Sequence, residues 1–275
     1  MKKLFILLLI SLTLLTNITL AQENTLKSYL HQKLSISNTW QIHLLDFYKL
    51  YQQQELILID IRSPETYQKA HVKGSLNIHL PNLPQTILEQ PNILPKDQPI
   101  YIICCAQDSN AYYAVLPLRI AGYEAYAVTG GGVDAWQYLQ LPYLEQGTAS
   151  ELEFKYNTKL TDLEIQALVA INPDYHMLKV GRSYGLKLQP LEQIIAEGKD
   201  LFVIQIWSEQ ERALLVKAPY VKHTTTLKNL LTSSWLENIE KKQQLFIVGQ
   251  DDKQLVLATI ALRMLGYDAM FAIEE

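Results

Sequence analysis

Cysteine is nearly absent from this chain: its 275 residues hold two, Cys104 and Cys105, and they are neighbours. A disulfide framework is thereby excluded, because stabilising bridges join distant segments of the fold. Histidine is sparse as well. The six are scattered without metal-ligand spacing, so neither a metal nor a cofactor is expected. Basic residues are not in excess; 24 Lys and Arg face 28 Asp and Glu, for a net charge of −4. A mildly acidic surface gives no electrostatic case for nucleic acid or for anionic lipid. Beyond the first residues there is no apolar run long enough to span a bilayer.

The N-terminus is where an apolar run does occur. Met1-Lys2-Lys3 is followed by Leu4 to Leu15 with almost no polar residue, and then by Thr19-Leu20-Ala21. A positive start, an apolar stretch and small residues at the cleavage positions are the parts of a signal peptide. The run falls short of the roughly 20 apolar residues of a spanning helix. Residues 1–21 are therefore read as a signal peptide cleaved after Ala21, with no stable membrane insertion afterwards and a periplasmic or secreted mature chain. Thiols tend to be oxidised in such compartments. Two adjacent cysteines retained there are either buried and inert or kept for reactivity.

The chain repeats itself, and a repeat constrains the fold before anything else. Leu118-Arg-Ile-Ala-Gly-Tyr-Glu-Ala125 recurs as Leu262-Arg-Met-Leu-Gly-Tyr-Asp-Ala269, at an offset of 266 − 122 = 144. The apolar run Leu56-Ile-Leu-Ile-Asp-Ile-Arg-Ser63 recurs as Leu201-Phe-Val-Ile-Gln-Ile-Trp-Ser208, one position further apart. In each copy a helix comes first, over Gln41–Gln52 and Gln189–Glu197. A buried strand, a short extended piece (Ser75–Leu80 in the first copy), a second strand (Ile100–Cys104 and Leu245–Val248) and a helix ending in Gly122 or Gly266 follow. Glycine just past a helix end supplies the left-handed cap. Strands alternating with helices imply parallel sheets covered on both faces. The reading is an α/β chain of two tandem domains, residues 22–148 and 149–275, joined by the polar Gln146-Gly-Thr-Ala-Ser150. Thr161-Asp-Leu-Glu164 has the form of a capping box opening a helix.

The first copy resembles the rhodanese family. Asp60-Ile-Arg62-Ser-Pro-Glu65-x-Tyr67-x-x-x-His71-Val-Lys-Gly74-Ser-Leu-Asn77-Ile78 is similar to its N-terminal signature, and Gly131-Gly132-Val-Asp-Ala135-Trp136 to its C-terminal one. The second copy resembles the family mainly through the repeat. It has Gln205 and Trp207 where the first has Asp60 and Arg62, and it lacks the Gly-Gly ending. The resemblance implies two tandem rhodanese-like domains, each a parallel central sheet flanked by helices, with a nucleophilic cysteine at the end of a central strand. Counting back from the helix-closing glycine places that cysteine at Cys105, and the same count in the second copy reaches Gly249. The second domain is thus expected to be degenerate, without an active-site cysteine.

The physical case for Cys105 is independent of the family. The C-terminal end of a central parallel strand opens into the crevice where α/β sheets bind ligands. Loop amides and a helix N-terminus there favour a thiolate and a bound anion. Cys105 is the expected nucleophile, and Ala106, Gln107, Asp108, Ser109, Asn110 and Ala111 form the expected substrate loop. That loop carries no cation, whereas active relatives often have Arg in it, and Asp108 opposes an anionic donor. Thiosulfate is accordingly expected to be a poor donor. Cys104 is assigned to the core, its side chain turned to the face opposite Cys105 by strand alternation, with a resolving thiol or a strained vicinal disulfide as the lesser option. Asp60, Arg62, His71 and Trp136 are read as structural support. The functional reading is an exported sulfurtransferase or persulfide carrier, its partners a small sulfur-containing donor, a thiol acceptor and, potentially, a partner protein. The alternative is a non-catalytic binding or scaffold protein in which both domains have lost the chemistry. A thiol redox protein is the third class, although the C-x-x-C spacing is missing.

Overall fold

The computed structural model of the chain describes residues 24–34, 40–106, 108–148, 155–178, 185–197, 201–207 and 219–273. Residues 1–21, read above as a signal peptide, and Gln107 of the substrate loop lie outside them.

The first half runs α1 (residues 24–34), β1 (Gln41–His43), α2 (Leu44–Tyr51), β2 (Ile57–Asp60), α3 (Pro64–Lys69), β3 (His71–Val72), β4 (Leu76–Asn77), α4 (Leu83–Glu89), β5 (Ile100–Ile103), α5 (Asp108–Ile120), β6 (Ala125–Thr129), α6 (Gly132–Tyr138) and β7 (Leu144–Glu145). The second runs α7 (Asp162–Leu178), β8 (Gly185–Lys187), α8 (Leu188–Ala196), β9 (Phe202–Ile206), β10 (Val221–Thr225), α9 (Leu227–Leu230), β11 (Gln244–Val248), α10 (Asp252–Met264) and β12 (Asp268–Ile273). Two five-stranded sheets result, ordered β1-β6-β5-β2-β4 and β8-β12-β11-β9-β10, and every neighbouring pair in them is parallel. Element for element, the two orders are the same. β3 and β7 form a separate antiparallel pair that ties the end of the first half back to its beginning.

One sequence expectation needs correction. The span Gln41–Gln52 is not a single helix: Gln41–His43 is a short strand, and the helix begins at Leu44. Its strand partner is β6, more than eighty residues later, so nothing local marks it. His43 then closes the strand and caps the helix, its Nδ1 accepting from the Leu45 amide at 3.3 Å. The capping box does form. Thr161 N–H donates to Glu164 Oε2 at 2.6 Å, and Glu164 N–H donates to Thr161 Oγ1 at 3.4 Å.

The repeated motif recurs because it does the same work twice. Gly122 and Gly266 both have φ +84, the left-handed cap that only glycine adopts without strain. Arg119 Nε donates to Ala125 O at 2.7 Å, and Arg263 NH1 donates to Ala269 O at 2.9 Å, each clamping the helix end to the next strand. Tyr123 and Tyr267 each donate their hydroxyl at 2.8 Å to a carbonyl, of Pro91 and Leu236. Lys96 and Lys241 lie over these two rings.

The halves share a core. Buried residues of α5, including Val115 and Leu116, and of α10, including Leu255 and Leu257, belong to one apolar cluster. It reaches from Leu26 in α1 to Phe271 in β12. Tyr113 of α5 and Phe271 of β12 meet with ring centroids 6.3 Å apart. A second cluster, around Phe47, Tyr101 and Trp136, fills the other face of the first sheet.

Candidate functional site

β5 is the middle strand of the first sheet, lying between β6 and β2. Its four residues are all buried, and the ladder to β2 ends at the pair Asp60–Ile103. Cys104 and Cys105 come immediately after it, in the bend that leads to α5. Cys104 is 6% exposed and packed in the main core, whereas Cys105 is half-buried.

The two thiols do not face opposite ways. Their Sγ atoms lie 3.5 Å apart, Cys104 donating to Cys105. Alternation is a property of a hydrogen-bonded strand, and β5 has already ended at Ile103, so the bend is free to turn both side chains together. The contact, with burial as the second cause, pushes the Cys104 thiol far above the usual thiol range. Cys104 thus holds its proton at neutral pH, and Cys105 is the thiol with access to solvent.

Ala106 N–H does not point at free space: it donates to Asp134 Oδ2 at 2.9 Å. Asp108 starts α5, and Ser109 follows within that helix. Asn110 Nδ2 is 3.9 Å from Cys105 Sγ, at the limit of a weak hydrogen bond. Ala111 is fully buried in the core. Asp134 belongs to the Gly131–Trp136 stretch, but nothing in the sequence says that its carboxylate reaches a loop amide 28 positions away. The same stretch presses against the cysteines. Val133 N–H donates to Cys104 O at 2.8 Å, and a Cβ on Gly132 would lie 2.2 Å from that oxygen.

The supporting residues sit one layer out. Asp60 is fully buried and bound by Arg62: Nε is 3.0 Å from Oδ1 and NH2 is 2.5 Å from Oδ2. Arg62 NH2 also donates to Ala70 O at 2.7 Å, and Asn77 Nδ2 bridges the carbonyls of Asp60 and Arg62. The pair thereby fixes the exit of β2 beside the cysteine bend. His71 stacks on Tyr67 at 3.7 Å, with Nδ1 2.9 Å from Tyr67 O and Nε2 3.3 Å from Glu145 Oε1. Trp136 is buried, its Nε1–H shared between the carbonyls of Leu141 and Pro142.

In the second half, Gly249 directly follows β11, at the repeat offset of 249 − 105 = 144 from Cys105. A Cβ there would stand 2.4 Å from Ile206 O. The position has closed around its glycine.

Residues 44–139, which hold all of the first site, match the rhodanese-like domain family. Thiosulfate sulfurtransferase GlpE of Vibrio cholerae is 32% identical over 91 residues, a stretch covering 33% of this chain and 81% of that protein. The chain belongs to the rhodanese-like family. A second relative, thiosulfate sulfurtransferase GlpE of Pseudoalteromonas translucida, is 30% identical over 89 residues, covering 32% of this chain and 80% of that one. Among solved structures, SseA of Escherichia coli, described as a 3-mercaptopyruvate sulfotransferase, is 13% identical with a TM-score of 0.38. The alignment covers 85% of this chain and 97% of that one. At family level, the chemistry of the rhodanese-like relatives is sulfur transfer.

Proposed function

We propose that the protein is an exported sulfurtransferase or persulfide carrier in which Cys105 is the nucleophile. The observation that carries the reading is the half-buried Cys105 thiol at the exit of the central strand β5, directly before the N-terminus of α5. A thiolate is favoured by that helix end and by a hydrogen bond to its sulfur. Attack on the outer sulfur of a donor breaks the donor's bond to that sulfur, leaving Cys105 as a persulfide and the remainder of the donor as an anion. An acceptor thiolate then attacks the outer sulfur and returns Cys105 to the thiolate.

The donor class follows from charge. Residues 105–111 contain no Lys or Arg, and Asp134 already occupies the Ala106 amide. A dianion such as thiosulfate meets a carboxylate where a clamp would be needed, so a less anionic donor such as 3-mercaptopyruvate fits better. Residues 149–275 are read as a degenerate rhodanese-like domain with Gly249 at the nucleophile's position. The same occupied amide favours the alternative, a binding or scaffold protein with no turnover, and the test separates them.

Purified protein, trimmed at Ala21, is incubated with thiosulfate or with 3-mercaptopyruvate and examined by intact-mass and peptide mass spectrometry. The expected result is one sulfur taken up at Cys105 from 3-mercaptopyruvate, read either as added mass on its peptide or as hydrosulfide set free from it, little from thiosulfate, and neither in Cys105→Ser. Asp108→Ser combined with Asn110→Arg should raise turnover of thiosulfate to cyanide. Failure of every donor to load Cys105 would replace the enzyme with the binding protein. N-terminal sequencing of protein from the periplasm or medium should begin at Gln22; an intact Met1 on cytoplasmic protein would refute export.

A further inference from the structure

We infer that Cys104 is a resolving thiol, which expels the sulfur carried by Cys105 as hydrosulfide and closes a Cys104–Cys105 disulfide. This rests on the reading of Cys105 as the persulfide-bearing residue. The juxtaposition that carries it is the 3.5 Å approach of the two Sγ atoms. It arises because both residues lie beyond the last paired residue of β5. With Cys104 at 6% exposure and Cys105 half-buried, an external donor reaches only Cys105. Among the described residues, the neighbouring sulfur is what Cys104 is placed to react with.

The step balances without an outside oxidant. The loaded site holds Cys105 as the persulfide anion Sγ–S⁻ beside Cys104 Sγ–H. Cys104 sulfur attacks Cys105 Sγ, the Sγ–S bond breaks, and the outer sulfur departs with its electron pair and the Cys104 proton as HS⁻. The sulfane sulfur is reduced by two electrons, and the two cysteine sulfurs are oxidised together to the disulfide. The proton needed by the leaving group is the one that the resting site keeps on Cys104. Neighbouring Cα atoms stand about 3.8 Å apart across a trans peptide, closer than the roughly 4.4–6.8 Å that relaxed disulfides span. The ring is therefore strained and readily reopened by a thiol reductant, which completes a cycle of sulfide release. An acceptor thiol that reaches the outer sulfur first diverts the cycle to transfer, so Cys104 sets the competition between carrying sulfur and discharging it.

The test uses the full trimmed chain, reduced, freed of reductant and kept anaerobic. It is loaded in a single turnover with 3-mercaptopyruvate or with concentrated thiosulfate, neither of which liberates sulfide itself. Hydrosulfide is trapped, and the Cys104–Cys105 peptide is weighed after alkylation. The wild type should release one hydrosulfide per loaded chain and yield a peptide lighter by two hydrogens that resists alkylation until reduced. Cys104→Ser, and Cys104→Ala, which keeps the buried position apolar, should retain the added sulfur on Cys105 and release none. A wild type that keeps its persulfide, or a Cys104 variant that releases as much sulfide, overturns the inference while leaving Cys105 as nucleophile. If neither the wild type nor the variants gain or release sulfur, the reading of Cys105 fails and the inference falls with it.

Discussion

Gly132 and Gly74 both hold a left-handed backbone, with φ +54 and +74, but in opposite surroundings. A Cβ on Gly74 would have no heavy atom within 4 Å, whereas one on Gly132 would lie 2.2 Å from Cys104 O and 2.6 Å from Cys105 O. Gly74→Ala therefore incurs only the conformational cost, roughly 1–2 kcal/mol for an L-residue in that region. Gly132→Ala incurs the same cost and must also drive two backbone carbonyls away. They belong to the bend itself, so no flexible side chain can yield. Overpacking of this kind adds about 1–3 kcal/mol, and loss of the Val133 bond to Cys104 O accounts for about 1 kcal/mol of it. Urea denaturation of the two variants, at equal slope, should place Gly132→Ala about 1–3 kcal/mol below Gly74→Ala. The rate of Cys105 alkylation should change in Gly132→Ala and stay at the wild-type value in Gly74→Ala. Equal stabilities, or an unchanged alkylation rate in Gly132→Ala, would refute the claim that this glycine seats the cysteine bend.

Three further outcomes are expected. Arg62→Met leaves the fully buried Asp60 carboxylate without its guanidinium and should cost about 3–5 kcal/mol in the same denaturation, while Asp60→Leu with Arg62→Met should recover most of that loss. Gly249→Cys should not create a second reactive site: its Cβ would meet Ile206 O at 2.4 Å, so the variant should lose about 1–3 kcal/mol and its new thiol should stay unlabelled by 3-mercaptopyruvate sulfur. Burial first, and then the Glu164 carboxylate, push the Tyr29 hydroxyl up to about 12. The stability it contributes is complete below the unfolded value near 10 and is lost as pH rises through 12. Alkaline unfolding of Tyr29→Phe should therefore depend less steeply on pH in that window than the wild type.

The sequence made the scaffold legible wherever a local signal and a repeated one coincided. The offset read from Gly122 and Gly266 also relates α5 to α10 end to end, from Asp108 and Asp252 to Ile120 and Met264. The capping box at Thr161 was readable because all its atoms lie within one turn. What escaped depended on partners far away in the chain. β1 is a strand only because β6 lies beside it, and the Ala106 amide is occupied only because the start of α6 brings Asp134 to it. Cys104 packs in the core as expected, but strand alternation gives the wrong facing relative to Cys105, because no sequence signal tells that the ladder stops at Ile103, one residue short of the expected strand.

The cluster that joins α5 to α10 has a consequence for how this chain can be divided and how it can change. The first half cannot be lifted away intact: cutting at the polar joint would strip Val115 and Leu116 of the apolar neighbours supplied by α10 and uncover a broad sticky surface. α1 adds a further strap, since its Lys27 pairs with Glu237 of the far half at 2.9 Å while its Leu30 is buried in the common interior. The second half thus covers apolar surface of the first. At Gly249 the covering half has no room for a side chain, since a Cβ there would stand 2.4 Å from Ile206 O, and what it contributes to the first half is the apolar face of α10.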